Sequence, residues 1–176
     1  MIFQPSPLAG AYIIDLQPIE DHRGFFARAW CQQEFQQHGL EPQLVQCNLS
    51  YNRTSGTVRG MHYQIAPHKE TKVVRCVRGR IFDVIIDLRR DSPTYLHWLG
   101  LELSAENRRM LYVPEGFAHG YQTLEPDTEV FYQVSEFYHP GSEQGIRWDD
   151  PAIAIDWPLE PTVISEKDKN YPDYAA

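Results

Sequence analysis

From about residue 43 to residue 138 apolar and polar positions alternate with period two, the pattern of strands with one face toward a core. Lys72-Val73-Val74-Arg75-Cys76-Val77 and Arg80-Ile81-Phe82-Asp83-Val84-Ile85-Ile86-Asp87-Leu88 flank the turn signal Arg78-Gly79, which predicts a hairpin. Further strands are predicted over 96–103, 109–113, 120–123 and 130–137. They are separated by Ser92-Pro93, Ala105-Glu106-Asn107, Pro114-Glu115-Gly116 and Glu125-Pro126-Asp127. Many short strands joined by such turns predict an all-β jelly roll, a sandwich or barrel. Helices are few: one over 31–38 ending at Gly39, and a short C-terminal turn opened by the capping box Ser165-Glu166-Lys167-Asp168. No repeat or linker divides residues 1–176. The proline-rich tail from about 151, with Trp157-Pro158 and Glu160-Pro161, is expected to strap across the barrel within a single domain.

Composition narrows the function classes. With 176 residues, 42% hydrophobic and 12% aromatic, the chain can bury one full-sized core. A net charge of -8 argues against a nucleic-acid footprint, so an anionic ligand must meet a local cluster of positive charge. Neither a signal-like N-terminus nor an apolar run of about 20 residues is present, and the expectation is a cytoplasmic protein without membrane contact. Cys31, Cys47 and Cys76 are odd in number and lack CxxC spacing. They are read as buried thiols, not as disulfides or zinc ligands.

The chemistry concentrates in Val58-Arg59-Gly60-Met61-His62-Tyr63-Gln64, Lys72 and Pro114-Glu115-Gly116-Phe117-Ala118-His119-Gly120. Two histidines, an arginine and a lysine on short strands suit a site that binds an anion and moves a proton beside it. Strict alternation would separate Arg59, Met61 and Tyr63 from Gly60, His62 and Gln64, so Arg59 and His62 share a cavity only if alternation breaks at Gly60. The segment Pro114-x-Gly116-x-x-His119 matches the second motif of metal-binding cupins. The first motif would require His-x-His, and the chain offers His62-Tyr63-Gln64 and then Glu70, so no catalytic metal is expected. Asp83 and Asp87, on one strand face with Arg89 nearby, are read as structural ion pairs or interface groups.

The chain as a whole resembles the dTDP-4-dehydrorhamnose 3,5-epimerase family of cupin-fold enzymes. The resemblance is carried by Asp21-x-Arg23-Gly24-Phe25-Phe26, Gln46-x-Asn48-x-Ser50, Arg59-Gly60-Met61-His62-Tyr63-Gln64, Lys72-Val73-Val74-Arg75 and Asp83-Val84-x-x-Asp87-Leu88-Arg89. It continues through Ser92-Pro93-Thr94, Pro114-x-Gly116-Phe117-Ala118-His119-Gly120, Tyr132, Tyr138-x-Pro140, Trp148-x-Asp150-Pro151, Ile155-x-Trp157-Pro158 and Ser165-x-Lys167-Asp168. It implies a cupin-type double-stranded β-helix, commonly a homodimer, that inverts C3 and/or C5 of a nucleoside diphosphate 4-keto-6-deoxyhexose in rhamnose-type deoxysugar and O-antigen biosynthesis, without a cofactor. By the family motif His62 is the base, Asp168 its carboxylate partner, Tyr132 the opposing acid and Lys72 the group that stabilises the enolate oxygen. Arg23 and Arg59 would hold the diphosphate, and His119 the sugar or phosphate. Gln46, Asn48, Glu143 and Lys167 match substrate contacts, and Tyr138 an aromatic stacked on the base. A segment such as 13–16 could extend a partner's sheet.

Two positions depart from the family pattern. Ala27-Arg28 stands where a glutamate usually contacts the nucleotide end, and Glu70 stands where a glutamine is typical. An arginine cannot accept the hydrogen bonds a glutamate accepts, so the preferred nucleotide is left open. A mononuclear-metal cupin oxygenase or isomerase, or a sugar-nucleotide binding module without turnover, are the rival readings.

Overall fold

The computed structural model, which describes residues 1–174, has two sheets packed on a shared core and apolar residues packed outside each sheet as well. The chain runs β1 (Ile2–Pro5), β2 (Tyr12–Asp15), β3 (Ile19–Asp21), β4 (Gly24–Phe26), α1 (Gln32–Gln37), β5 (Gln46–Asn52), β6 (Thr57–Gln64), β7 (Lys72–Arg78) and β8 (Arg80–Asp87). It continues as β9 (Trp98–Ser104), β10 (Met110–Val113), β11 (Phe117–Thr123), β12 (Thr128–Val134), β13 (Glu143–Gly145), β14 (Val163–Ile164) and α2 (Glu166–Lys169). One sheet has the order β1-β2-β10-β7-β12-β5. The other has the order β13-β6-β11-β8-β9, with β14 added parallel to β6. The two pack face to face as a jelly roll.

Alternation sorts each strand between layers. Val74 and Cys76 of β7 meet Ile81 and Ile85 of β8, Phe117 and Tyr121 of β11 and Val130 of β12 between the sheets. Val73 points the other way, onto Phe35 of α1 together with Ile14, Met110 and Tyr112. On the far side, Val84, Ile86 and Ala118 pack against Ile146, Ile153, Ile155 and Trp157 of the tail. The tail is tied down further by the Gln122 side chain, which exchanges hydrogen bonds with the Leu159 backbone at 2.7 and 3.0 Å.

Four expectations need correction. The strands on either side of Arg78-Gly79 do not pair: β7 lies between β10 and β12, whereas β8 lies between β11 and β9. A single residue, Gly79 at φ +73°, separates them, too few for a two-residue hairpin loop, and the chain turns a corner from one sheet to the other. Residues 13–16 do not offer a free strand, because β2 is paired on both edges, by β1 and β10. The patterning also missed β1 and the β3–β4 hairpin, short strands that are mostly exposed. Of the cysteines only Cys76 is buried. Cys31 is half-buried at the start of α1, and Cys47 is exposed on the edge strand β5.

Beyond β8, Asp87 organises the turn toward β9. Its buried carboxylate accepts from Arg89 Nε and Nη2 at 2.8 and 2.7 Å, Ser92 Oγ at 2.5 Å and Thr94 Oγ1 at 2.7 Å. Burial alone would push this carboxyl up, but the hydrogen bonds outweigh it and hold it lowered to about 2. A folded-state value below the unfolded 3.8 means that the contribution is complete above about pH 4 and is lost as pH falls toward about 2. Asp87→Asn is expected to lower the unfolding free energy by about 2 kcal/mol at pH 7. Urea titrations at pH 7 and pH 3 should show the gap from wild type narrowing in acid; a gap equal at both would refute the assignment.

Gly60 and Gly120 bring β6 and β11 unusually close. A Cβ on Gly60, which sits at φ +130°, would stand 2.5 Å from the Gly120 Cα and 2.9 Å from the His119 carbonyl oxygen. Gly60→Ala should therefore cost about 3 kcal/mol of stability, read as a lower urea midpoint with an unchanged slope.

Candidate active site

The close approach at Gly60 also aims the side chains of β6. The β6–β11 ladder pairs His62 with His119 and Arg59 with Tyr121, slipping register in between. Met61 is driven outward into the cluster beneath the tail, and Arg59 and His62 come to the same side. They line an inner cavity of about 170 Å³ with Ser50, Lys72, His119, Tyr121 and Tyr132.

His62 Nε2 donates to Asp168 Oδ1 at 2.7 Å. Asp168 is delivered by α2, whose N-cap Ser165 accepts from the Asp168 amide at 3.1 Å. In a capping box the third residue's side chain returns to the N-cap amide; here the Asp168 carboxylate turns to His62 and to the Gly60 amide, 3.2 Å from its Oδ2. Burial works to raise the Asp168 carboxyl, but the bonds from His62, Gly60 and Ser165 prevail and keep it below its ordinary value. The carboxylate is thus an ionised acceptor, the proton of neutral His62 sits on Nε2, and Nδ1 is the nitrogen that can accept another.

A second histidine–carboxylate pair stands beside the first. His119 Nε2 donates to Asp83 Oδ1 at 2.8 Å, and Asp83 is fully buried with its Oδ2 unpartnered among the described residues. Asp83 is therefore a buried partner of His119 within the site rather than an interface group.

Lys72, buried at the start of β7, lies 3.0 Å from Glu70 Oε1 and donates to the His62 carbonyl oxygen at 3.4 Å. Arg59 is held by Asn52 Oδ1 at 2.7 Å and the Tyr51 carbonyl at 3.3 Å. Burial raises the phenols of Tyr132 and Tyr121, keeping both protonated near neutrality. Outward from here a cavity of about 300 Å³ is bordered by His62, Lys72, Tyr132, Gln46, Asn48, Glu70, Tyr138 and Glu143. Gln46 Nε2 donates to Asn48 Oδ1 at 3.0 Å; Glu143 accepts from Tyr138 Oη at 2.7 Å and from Lys167 Nζ at 2.5 Å. A third recess, about 320 Å³, runs past Arg59 and His62 to Lys167 and Asp168.

These connected recesses contain His62, Asp168, Tyr132, Lys72, Gln46, Asn48, Arg59, His119, Tyr138, Glu143 and Lys167. Arg23 and Arg28 are not among them. Arg23 projects from the β3–β4 turn and is captured by Asp21 at 2.5 Å; Arg28 is exposed and paired with Glu34 of α1 at 2.7 Å. In both cases the partner within the chain is a carboxylate close in sequence. Sequence reasoning missed Ser50, Asn52 and Tyr121, which hold one another and Arg59 in place. Their signal was parity: Ser50 and Asn52 share one face of β5 with Asn48.

Residues 5–176 match the family model described as dTDP-4-dehydrorhamnose 3,5-epimerase. A relative of that name from Methanothermobacter thermautotrophicus is 46% identical over 172 residues, covering 96% of this chain and 92% of its own. The crystal structure of dTDP-4-dehydrorhamnose 3,5-epimerase from Elizabethkingia anophelis is 38% identical and superposes with a TM-score of 0.96, covering 99% of this chain and 96% of that one. The enzyme of the same name from Bacillus anthracis, solved with TDP and PPi bound, is 40% identical with a TM-score of 0.93, covering 97% and 98%. Matched over nearly its whole length in sequence and in fold, this jelly roll with paired histidines belongs to the dTDP-4-dehydrorhamnose 3,5-epimerase family, isomerases of deoxysugar biosynthesis.

Proposed function

We propose that the chain inverts C3 and C5 of a thymidine diphosphate 4-keto-6-deoxyhexose by two proton transfers at each carbon. The observation that carries this reading is the His62–Asp168 pair set in one cavity with the buried phenol of Tyr132 and the ammonium of Lys72. His62 Nδ1 takes the proton from the carbon beside the ketone, and the electron pair of the broken C–H bond moves onto the ketone oxygen. Asp168 stabilises the imidazolium that results. Lys72 keeps one N–H donor beyond those spent on Glu70 and the His62 carbonyl, and it meets the enolate oxygen as its charge develops, with His119 beside it. Tyr132 then returns a proton from the opposite face, and solvent resets both groups. No cofactor is required, because the ketone itself holds the electron pair.

Arg59 and Lys167 supply positive charge for the diphosphate, while Gln46, Asn48, Glu143 and Tyr138 border the outer cavity where sugar hydroxyls and base would lie. Arg23 and Arg28 would reach a nucleotide only in a homodimer whose β3–β4 hairpin meets the neighbouring subunit. The exposure of Ile19, Phe25 and Phe26 on that hairpin supports such a contact. A metal-cupin mechanism finds less support. Each imidazole is committed to a different carboxylate, and the Gln64 amide turns to the Phe137 carbonyl, Glu70 and the His139 amide. A binding module would have no use for the dyad or for Tyr132.

The test is incubation with dTDP-4-keto-6-deoxyglucose in deuterated water, following the C3 and C5 protons by NMR. Wild type should exchange both, and His62→Ala should lose about 1,000-fold or more in rate. Asp168→Asn should lose about 100-fold. Tyr132→Phe should retain exchange while product formation slows about 100-fold. Unimpaired turnover in His62→Ala, or inversion without solvent deuterium, would overturn the mechanism. Competition by dTDP, UDP, GDP and CDP should show whether Arg28 moves the base preference away from thymine; an unchanged preference in Arg28→Glu would remove Arg28 from base selection.

A further inference from the structure

Outside the catalytic recesses, the loop between β6 and β7 and the loop following β12 place His68, Glu136 and His139 together. His68 Nδ1 lies 4.0 Å from Glu136 Oε2, and His139 Nε2 lies 3.8 Å from Glu136 Oε1. One ligand atom from each residue falls within 4.8 Å of the other two. The imidazoles stack, ring centroids 3.5 Å apart and 16° from parallel. Both contacts to the carboxylate are longer than a hydrogen bond, so the three groups face one another without bonding directly. We propose that His68, Glu136 and His139 form a binding site for one divalent transition metal ion of zinc type, clamping together the two loops beside the mouth of the catalytic cavity.

Donor chemistry and spacing support this. Two imidazole nitrogens and one carboxylate are a borderline-soft set suited to zinc and a poor one for magnesium or calcium. An ion about 2.1 Å from each donor spaces tetrahedral ligands about 3.4 Å apart; the two histidine–carboxylate gaps are about half an ångström longer than this, and the stacked rings must turn out of their parallel arrangement to aim both lone pairs at one ion. The fourth position is left to water. Each ligand is about one-third exposed, which gives an ion a path in.

The framework around the ligands is already built. Glu136 Oε1 accepts from the Phe137 amide at 2.7 Å, fixing the carboxylate. The His139 amide donates to Gln64 Oε1 at 2.7 Å, and Gln64 Nε2 donates to the Phe137 carbonyl at 3.1 Å, joining the second loop to the end of β6. Where the first loop rejoins β7, Thr71 and Ser135 exchange backbone hydrogen bonds with 2.8 and 3.1 Å separations, one of them through the Ser135 hydroxyl. Tyr138 lies between Glu136 and His139 in sequence and borders the substrate cavity, so an ion held here would fix the backbone on both sides of it.

Isothermal titration of the metal-stripped, full-length protein with zinc sulfate tests the site. Wild type should bind one ion per chain with a dissociation constant in the micromolar range or tighter, and its melting temperature should rise with zinc. The double variant His68→Gln/His139→Gln should bind about 100-fold more weakly and lose the zinc-dependent rise, while its melting temperature without metal stays that of wild type. Glu136→Gln, which preserves shape and the bond to the Phe137 amide, gives the same reading if the double variant folds poorly. Absence of binding in wild type would overturn the proposal. So would binding that survives both variants and disappears in His62→Ala, which would put the ion in the catalytic cavity.

Discussion

The backbones of β6 and β11 meet at Gly60 and Gly120 with no room for a side chain, and this contact reverses the facing of the residues that follow it in β6. Without the slip, Arg59 and His62 would lie on opposite faces of the sheet, one toward the cavity and one beneath the tail. The same approach presents the Gly60 amide to Asp168, so the carboxylate that orients His62 is itself held by the irregular stretch that positions the histidine. Scaffold and dyad thus depend on a single steric fact, the absence of two methyl groups.

Charge in the cavity is arranged rather than accumulated. The protein carries a net -8, and the cations in its recesses are hydrogen-bonded or ion-paired: Lys72 with Glu70, Lys167 with Glu143, Arg59 with the neutral Asn52. A field of unpaired cations would attract any anion. Paired donors at fixed positions favour the anion whose oxygens replace or extend the existing bonds, so selectivity rests on geometry more than on long-range attraction.

Strand positions were legible in the sequence because burial on alternate faces writes period two into the chain; strand partners were not. The pattern of residues 72–88 is the same whether β7 and β8 pair or diverge at Gly79, and the choice is made by contacts with β10, β12, β9 and β11 far along the chain. The capping box at Ser165 could be read because it is local, but that its Asp168 turns to His62 could only be implied by resemblance. That Asp83 faces a histidine and Asp87 an arginine could not be told apart in the sequence, because nothing nearby along the chain distinguishes the two carboxylates. Arg23 matched a binding position of the family and Arg28 departed from one, yet within one chain each is held by a neighbouring acid. Cys47 was misplaced because its strand lies at a sheet edge, a property of topology and not of composition.

Asp168 reaches His62 across 106 positions of sequence, carried by a tail that crosses the outside of the second sheet before α2 turns back. The sandwich core is made from residues that all precede this tail, whereas the histidine acquires its carboxylate only when the last short helix docks. The segment that covers Val84, Ile86 and Ala118 is thus the same one that brings Asp168 to the histidine, so the orientation of the His62 ring reports whether the end of the chain is seated on the second sheet.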